Sequence, residues 1–311
     1  MEIDNSACNE FRVCPLMYYE GRLAEETGLE LKPAGNEVVP MDLGSRVHEL
    51  LEEYYVEISG IPYPHPYEPS PNEALEQEAQ LIIAAYGAKY PQEDFEIVDV
   101  ERTFRVQLPN LCPTCYKEGR LPEDIGPQLA CCDSCDRMFR ASRHIYTGKI
   151  DLTFRKDGKL NIMDHKTEKR GGRGNDPKKW AARDQASLYL WAASKLYPNE
   201  EIGNFYVNVL RRPSEKQQEG PVFPERQPLE RTKDQLEIAV RDLVVVADDI
   251  ERYKKIFGDN LWPSNREACI HFGECQFYLP HLYGWDPLIR EQKYQAKTSY
   301  LKLGGVDIIQ P

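Results

Sequence analysis

The sequence has 311 residues, of which 41% are hydrophobic and 29% charged, a composition that is ordinary for a globular protein. Its apolar runs are shorter than the roughly 18 residues that a membrane span needs, and its first residues lack the basic and apolar regions of a signal peptide. We therefore expect a cytoplasmic protein without a membrane partner. The net charge of −12 argues against nonspecific nucleic-acid binding by the whole surface, so any such contact must use a local basic path.

Three helical patterns and one strand pattern open the chain. The helical patterns run from Asn5 to Thr27, from Met41 to Ile58 and from Glu73 to Tyr90, and the strand pattern runs from Phe95 to Leu108. The second helix contains His48, although a lone helical histidine usually has no ligand role.

Four cysteines after the strand have the spacing of a metal site. Cys112-Pro-Thr-Cys115 and Cys132-Asp-Ser-Cys135 are sixteen residues apart, which is typical of a zinc ribbon with four thiolates on one Zn²⁺. Cys131 precedes Cys132, which leaves one ligand identity open. A segment this short has too little core to fold alone, so zinc binding and local folding should be coupled.

The ribbon could act as a structural clip for an insertion, or it could guide DNA or dock a partner. The second role would use its basic residues, which are Lys117, Arg120, Arg137, Arg140 and Arg143.

The centre of the sequence predicts a β-hairpin. Apolar and polar residues alternate on both sides of the turn-forming pair Asp157-Gly158. Pairing across this turn brings Asp151 towards Asp164 and puts Asp164 and Lys166 on one face, with His165 on the other.

Such a group of side chains suits a hard divalent cation. Carboxylate and carbonyl oxygens hold Mg²⁺ or Mn²⁺, and a neighbouring lysine can orient water or stabilise developing charge. The alternative is a surface hairpin in which Asp151 and Lys166 form a weak cross-strand ion pair.

A basic loop and a further helix follow the hairpin. The loop belongs to the positively charged stretch 166–183, which suits a phosphate backbone, although most charge runs are only solvated loops. Its predicted DNA-binding residues are Lys169, Arg170, Arg173, Lys178 and Lys179. The helix runs from Trp180 to Leu196 and places Gln185 and Tyr189 one turn apart.

A strand pattern from Ile202 to Leu210 and a helix from Thr232 to Tyr253 precede the last motif. This helix has a single apolar stripe, which indicates a core element. The motif consists of Cys269, Cys275 and His281.

Four motifs, taken in order, resemble the RecB-like branch of the PD-(D/E)XK nucleases, including CRISPR-associated RecB-like exonucleases and the AddB nuclease domain. They are Gly44-x-x-x-His48, Gly148-x-x-Asp151, Asp164-x-Lys166 and Gln185-x-x-x-Tyr189. The resemblance implies an α/β fold with a restriction-endonuclease-like core, in which a mixed sheet is flanked by helices. It assigns residues 1–108 and 141–285 to the nuclease domain, 109–140 to an inserted zinc ribbon and 286–311 to a C-terminal tail.

The resemblance also implies Mg²⁺- or Mn²⁺-dependent hydrolysis of DNA phosphodiesters. His48, Asp151, Asp164 and the His165 carbonyl would hold the metal, and Lys166 would position water. Gln185 and Tyr189 would steady the lysine and the DNA strand. Glu101 resembles a glutamate at the edge of such sites, and an exposed strand glutamate is the alternative.

The expected activity is single-stranded DNA exonuclease action in recombination, repair or CRISPR-like processing, within a protein complex of that type. A structure-specific endonuclease and a non-catalytic DNA-binding or assembly subunit are the alternatives. A phage or other mobile element would suit a nuclease of this size.

A second metal centre is implied by relatives that hold a [4Fe-4S] cluster with one N-terminal and three C-terminal cysteines. Cys14, Cys269 and Cys275 match three of these, and His281 stands in place of the last one. His281 or Cys8 could be the fourth ligand, and a Cys₃His zinc site or an empty relict site are the alternatives to iron-sulfur.

Overall fold

The computed structural model describes residues 1–24, 28–31, 40–61, 67–115, 117–121, 129–169, 177–213, 219–260, 262–271, 274–296 and 307–309. The chain divides into two compact units. Unit 1 contains Met1–Pro33, Arg105–Gly148 and Glu237–Pro311, and unit 2 contains Ala34–Phe104 and Lys149–Leu236.

The helices are α1 (Asn5–Val13), α2 (Pro15–Arg22), α3 (Pro40–Ser59), α4 (Glu73–Lys89), α5 (Pro177–Ala181), α6 (Asp184–Leu196), α7 (Lys233–Phe257), α8 (Ala268–His271), α9 (Tyr278–Tyr283) and α10 (Pro287–Lys293). The strands are β1 (Glu2–Ile3), β2 (Leu29–Leu31), β3 (Glu96–Gln107), β4 (Leu129–Cys132), β5 (Arg137–Arg140), β6 (Ile145–Lys156), β7 (Lys159–Glu168), β8 (Ile202–Arg211), β9 (Pro228–Leu229) and β10 (Tyr294–Ala296). Among the described helices, none combines the length and the apolar character that a bilayer crossing requires.

The predicted hairpin is the centre of unit 2. β6 and β7 pair antiparallel, with Lys156 opposite Lys159 and Leu152 opposite Met163. Asp157 and Gly158 have φ values of +52° and +76°, and two consecutive positive φ values are the mark of a type I′ turn. This tight turn fixes the register of both strands.

The other strands of unit 2 make the sheet mixed. β7 pairs parallel with β8, β8 pairs antiparallel with β9, and β3 pairs with β6. Tyr206 packs in the apolar cluster of α3 and α4, whereas the adjacent Phe205 contacts the Tyr189 ring of α6, so helices cover both faces. The prediction of an α/β fold with a mixed sheet flanked by helices is confirmed.

Helix α3 lies unusually close to β7. A Cβ atom at Gly44 would lie 3.1 Å from Thr167 Oγ1, which is tighter than an ordinary van der Waals contact. The absence of a side chain at Gly44 therefore allows the first turns of α3 to approach the strand. His48 follows Gly44 by about one turn and is carried towards β7 in the same way.

In unit 1, the helical pattern from Asn5 to Thr27 is divided into α1 and α2. Cys14 between them has an extended backbone with φ −160° and ψ 113°. The residue before a proline avoids the helical region, and Pro15 begins α2. Residues 25–27 lie outside the described residues.

The helix predicted from Trp180 to Leu196 is likewise divided. Arg183 has an extended backbone with φ −90° and ψ 134°, so α5 ends at Ala181 and α6 begins at Asp184. Trp180 is fully buried and stacks on Phe205 at a centroid distance of 5.6 Å. The buried indole therefore belongs to a short separate helix that precedes the one carrying Gln185.

The close packing of α3 on β7 leads to a stability prediction. We expect Gly44→Val to lower the free energy of unfolding by about 1–3 kcal/mol, because a branched side chain would overpack the contact with Thr167. Gly87→Ala is the matched control on α4, since the nearest atom to its Cβ would be Tyr54 Cε2 at 3.4 Å. The control should be neutral or gain up to about 1 kcal/mol from helix propensity. Urea denaturation measures both, and equal losses in the two variants would contradict the close approach.

Candidate active site and metal centres

The backbone of His165 forms the centre of the acidic site in unit 2. Its N–H donates to Asp151 Oδ2 at 2.7 Å, and its carbonyl oxygen lies 3.0 Å from His48 Nε2. A neutral His48 that donates its Nε2–H to this carbonyl leaves the Nδ1 lone pair for a cation. The Nδ1 atom faces two carboxylates, with Asp151 Oδ2 and Glu101 Oε1 each 3.6 Å away.

The two aspartates of the hairpin lie on neighbouring strands. Leu152 pairs with Met163, and Asp151 and Asp164 are the neighbours of this pair on β6 and β7, on the side away from the turn. Both carboxylates are buried, and Asp164 accepts a hydrogen bond of 3.0 Å from Gln185 Nε2. Its other oxygen lies 2.6 Å from Lys166 Nζ. The structure thus brings together the pair of acids, the lysine and the glutamine that the sequence singled out.

Glu101 completes this group from β3. Its backbone has φ +50°, a left-handed conformation that is rare for a residue with a side chain and that disturbs the strand locally. The side chain is only 6% exposed, so the alternative of an exposed strand glutamate does not hold. Lys149 Nζ contacts its second oxygen.

The ligand atoms of His48, Glu101 and Asp151 all lie within 4.8 Å of one another, which suits a single cation. Glu101 was absent from the metal ligands predicted from sequence. The signal that pointed to it was its resemblance to a glutamate of related sites, because the strand pattern itself does not distinguish it from a surface residue.

The pKa values of the three acids are shifted in different directions by burial and by neighbouring charges. Burial raises the pKa of Asp164 to about 6, against the opposing effect of the Lys166 ammonium. Burial and the Glu101 carboxylate raise the pKa of Asp151, with His48 opposing them. Burial would also raise the pKa of Glu101, but His48 and Lys149 together lower it below its ordinary value. Burial disfavours the ionised forms of Asp151 and Asp164, and a cation bound among these carboxylates would stabilise them.

The neighbouring carboxylates raise the pKa values of the lysine and the histidine of the site. Burial lowers the pKa of Lys166, but the Asp164 and Asp151 carboxylates outweigh it and raise the pKa above its ordinary value. For His48, burial likewise lowers the pKa and the carboxylates of Asp151 and Glu101 raise it by more. Lys166 is therefore an ammonium near neutral pH.

Aromatic and polar side chains surround Lys166. Its Nζ lies 5.7 Å from the Trp180 ring centroid, and the Arg183 guanidinium lies 4.6 Å from the same ring. Tyr189, the second residue of the α6 motif, packs its ring against Phe104 and Phe205. Gln185 therefore reaches the acidic group directly, and the Tyr189 ring is part of the packing beneath it.

The His165 side chain lies on the opposite face of the sheet, as the strand alternation predicts. Its ring stacks on Tyr55 with an interplanar angle of 8°, and its Nδ1 lies 2.8 Å from Asn208 Nδ2. Burial lowers the pKa of His165 well below its ordinary value, so the ring is neutral. Only the backbone of His165 is available to the site.

The predicted DNA-binding residues are only partly described. Lys169, Lys178 and Lys179 are exposed, in keeping with contact to a partner. Arg170 and Arg173 lie outside the described residues.

The four ribbon cysteines come together in unit 1. The Sγ atoms of Cys112 and Cys135 are 3.6 Å apart, those of Cys115 and Cys132 are 3.4 Å apart, and those of Cys115 and Cys135 are 3.9 Å apart. A tetrahedron with Zn–S bonds of about 2.3 Å has edges of about 3.8 Å, so the spacing fits Zn²⁺.

Cys131 is outside this group because its backbone pairs with Arg120 and Cys132 takes the inward position. Burial raises the pKa of the Cys112 thiol, yet donation from the Cys115 and Thr114 amides brings it down to about 6. A thiolate is the form that zinc requires.

The residues predicted for an iron-sulfur cluster are less compact. Cys14 is buried and Cys269 and Cys275 are half-buried, and all three are free thiols. His281 Nε2 lies 3.8 Å from Glu20 Oε1. Within the described ranges, these residues do not form a group with all ligand atoms within 4.8 Å, and the alternative ligand Cys8 is buried in α1. The cluster stays a prediction.

Comparisons with known proteins add one strong result. The family model described as the PD-(D/E)XK nuclease superfamily matches residues 5–277. No curated protein matches the chain. A solved structure from Eubacterium rectale described as a "Putative exonuclease" is 15% identical, with 86% of each chain covered and a TM-score of 0.46. The structure of a protein named SSO0001 is 14% identical, with 80% of this chain and 87% of that chain covered and a TM-score of 0.29.

Proton competition at the acidic site leads to a pH prediction. A cation binds the ionised form of Asp164, so lowering the pH through about 6 protonates this carboxyl and weakens binding. We expect the apparent affinity for Mn²⁺ to fall by up to about tenfold for each pH unit below that value, which is the limit for one competing proton. Isothermal titration calorimetry between about pH 5 and about pH 7, on either side of this pKa, measures the effect. An affinity independent of pH would show that Asp164 does not contribute to binding.

The position of Glu101 leads to a mutational prediction. We expect Glu101→Gln to weaken Mn²⁺ binding roughly 10- to 100-fold, because one anionic oxygen facing His48 Nδ1 is replaced by a neutral amide. Glu96→Gln on the same strand is the control, since Glu96 is exposed and pairs with Arg155. Calorimetry of both variants tests the assignment, and equal affinities would exclude Glu101 as a ligand.

Proposed function

The chain belongs to the PD-(D/E)XK nuclease superfamily, and from this membership and the geometry of unit 2 we propose that it hydrolyses DNA phosphodiester bonds with Mg²⁺ or Mn²⁺, as a single-stranded DNA exonuclease. The observation that carries the proposal is the convergence of His48, Glu101 and Asp151 with the Asp164–Lys166 pair. A surface hairpin with a single ion pair would not bury its aspartates.

The donor set fits a hard divalent cation. His48 Nδ1 and the carboxylates of Glu101, Asp151 and Asp164 are the proposed ligands, and the His165 carbonyl, which accepts from His48 Nε2–H, would orient the ring. When bound, the cation lowers the pKa of water and neutralises charge on the attacked phosphate. Oxygen-rich sites of this kind favour Mg²⁺ and Mn²⁺ over softer metals.

The protein residues orient the reaction. Lys166 holds its proton, so it acts as a hydrogen-bond donor that positions water and stabilises charge on the phosphate oxygens. Gln185 donates to Asp164 and so holds this carboxylate in place for the lysine. Glu101 and Lys149 form a second contact of opposite charges within the same group.

The substrate assignment rests on charge and on the motif order. The exposed lysines Lys169, Lys178 and Lys179 bring positive charge near the site in an otherwise acidic protein, which suits a phosphate backbone. Preference for single strands with free ends follows from the resemblance of the four motifs to the RecB-like branch. A recombination, repair or CRISPR-type complex is the proposed setting.

The remaining cysteines complete the proposal. We infer that Cys112, Cys115, Cys132 and Cys135 hold Zn²⁺ within an inserted ribbon of residues 109–140. Cys14, Cys269 and Cys275 are the proposed ligands of a [4Fe-4S] cluster, with His281 or Cys8 as the fourth ligand.

The activity is tested with end-labelled linear single-stranded DNA and a closed single-stranded circle, each with Mn²⁺ or EDTA. We expect the linear strand alone to be digested, only with Mn²⁺, and roughly 10²- to 10³-fold more slowly by Lys166→Ala. Lys159→Ala is the matched control, because Lys159 lies on the same strand but pairs with Glu201 at the hairpin end.

Cutting of the closed circle would show that the activity is endonucleolytic and would contradict the exonuclease proposal. Absence of cleavage of either substrate would refute the catalytic proposal, and an equal loss of activity in the Lys159→Ala control would refute the specific role of Lys166.

A further inference from the structure

Unit 1 contains a half-open cavity of about 290 Å³ that the proposed reaction does not use. One wall is the segment from Arg140 to His144 at the end of the ribbon hairpin, and the other is the second half of α7, from Val244 to Lys255. Its volume is at the small end of the range for ligand pockets, about 300–1,000 Å³, so it suits a small group.

Positive charge is concentrated around this cavity. Arg140, Arg143, Arg252 and Lys255 line it, in a protein whose net charge is −12. Arg252 pairs with Asp249 at 2.8 Å. For the exposed side chains of Arg140, Arg143 and Lys255, the described part of the chain offers no hydrogen bond or ion pair. These cations are therefore available to an anionic ligand.

The two carboxylates of the cavity already have cationic or hydrogen-bonding neighbours. Asp248 Oδ1 lies 2.8 Å from His144 Nε2, and Glu251 Oε1 lies 3.8 Å from the Met1 ammonium group. Both acids thus lie near positive or hydrogen-bonding groups at one end of the cavity, where the histidine and the N-terminus are. The excess positive charge of the arginines and the lysine remains for a ligand.

His144 lies at the acidic end of the cavity. Its side chain is 3% exposed, and its Nε2 and Nδ1 atoms lie 2.8 Å from Asp248 Oδ1 and 3.8 Å from Glu251 Oε1. The ring is therefore directed towards the two carboxylates, which leaves the arginines and the lysine to an anionic ligand. Ser142 adds a hydroxyl group to the same wall.

We propose that this cavity binds a phosphate group, supplied by a nucleic-acid strand. Guanidinium groups match phosphate oxygens in pairs, and lysine adds a point charge. Two arginines and a lysine that are unpaired among the described residues therefore favour this anion over a carboxylate. The identification of the strand as the source rests on the proposed nuclease function. The phosphate of a free mononucleotide has the same chemistry.

The test is binding of a fluorescent single-stranded oligonucleotide in EDTA, measured by anisotropy over a range of salt concentrations with the full chain. Arg143→Gln/Lys255→Gln removes two exposed cations of the cavity. Arg241→Gln/Lys293→Gln is the matched control, which removes the same charge from exposed positions of α7 and α10 outside the cavity.

We expect the cavity variant to bind about tenfold more weakly and its salt dependence to fall by about one phosphate contact, with the control within about twofold of wild type. Equal weakening in both variants would mean nonspecific attraction and would overturn the proposal. Binding in EDTA does not require catalysis, so this result is independent of whether Lys166→Ala abolishes cleavage.

A second arm distinguishes the source of the phosphate. Thermal unfolding is measured with dAMP or inorganic phosphate for wild type and the cavity variant. Stabilisation of wild type alone, with unchanged strand binding, would keep the phosphate site but assign it to a free mononucleotide. If the cavity variant binds the strand as the control does and responds to the small ligands as wild type does, no phosphate site exists there.

Discussion

The backbone of His165 connects three elements of unit 2. Its N–H bonds Asp151 on β6, its carbonyl faces His48 on α3, and the residue itself belongs to β7. Successive side chains of a strand point to opposite faces of the sheet. A shift of one residue between β6 and β7 would therefore turn the site residues of one strand away from those of the other. The type I′ turn at Asp157-Gly158 prevents such a shift, so the geometry of the site depends on a turn at the far end of the hairpin.

Charge balance is the second constraint on the site. Glu101, Asp151 and Asp164 are buried close together, and the ammonium groups of Lys149 and Lys166 balance part of their charge. Removing one member of such a group leaves an uncompensated charge in a region of low dielectric constant, which is costly. Binding of a divalent cation would relieve the repulsion among the acids and free Lys166 for the phosphate. The same charges would therefore stabilise the fold without metal and serve the proposed catalysis with it.

Patterns in the sequence predicted much of this arrangement. The Asp-Gly turn and its flanking alternation predicted the hairpin, and the superfamily prediction is confirmed by the family match over residues 5–277. The divisions at Cys14 and Arg183 were missed, because apolar periodicity continues across both breaks. Glu101 was undervalued because its inward orientation depends on a positive φ inside a strand, which no local pattern reveals. The basic cavity joins residues about a hundred positions apart, a separation beyond the reach of local patterns.

The division into units also has a consequence for synthesis. All residues of unit 2 precede Glu237, whereas unit 1 is assembled from three segments, the last of which begins there. A growing chain therefore contains every proposed catalytic residue before Cys269 and Cys275 are made. Contacts such as that between Met1 and Glu251 close only after nearly all of the intervening chain is present, and such long-range contacts form slowly. On the ribosome, the acidic site is thus able to assemble first, and unit 1 matures afterwards around the late cysteines.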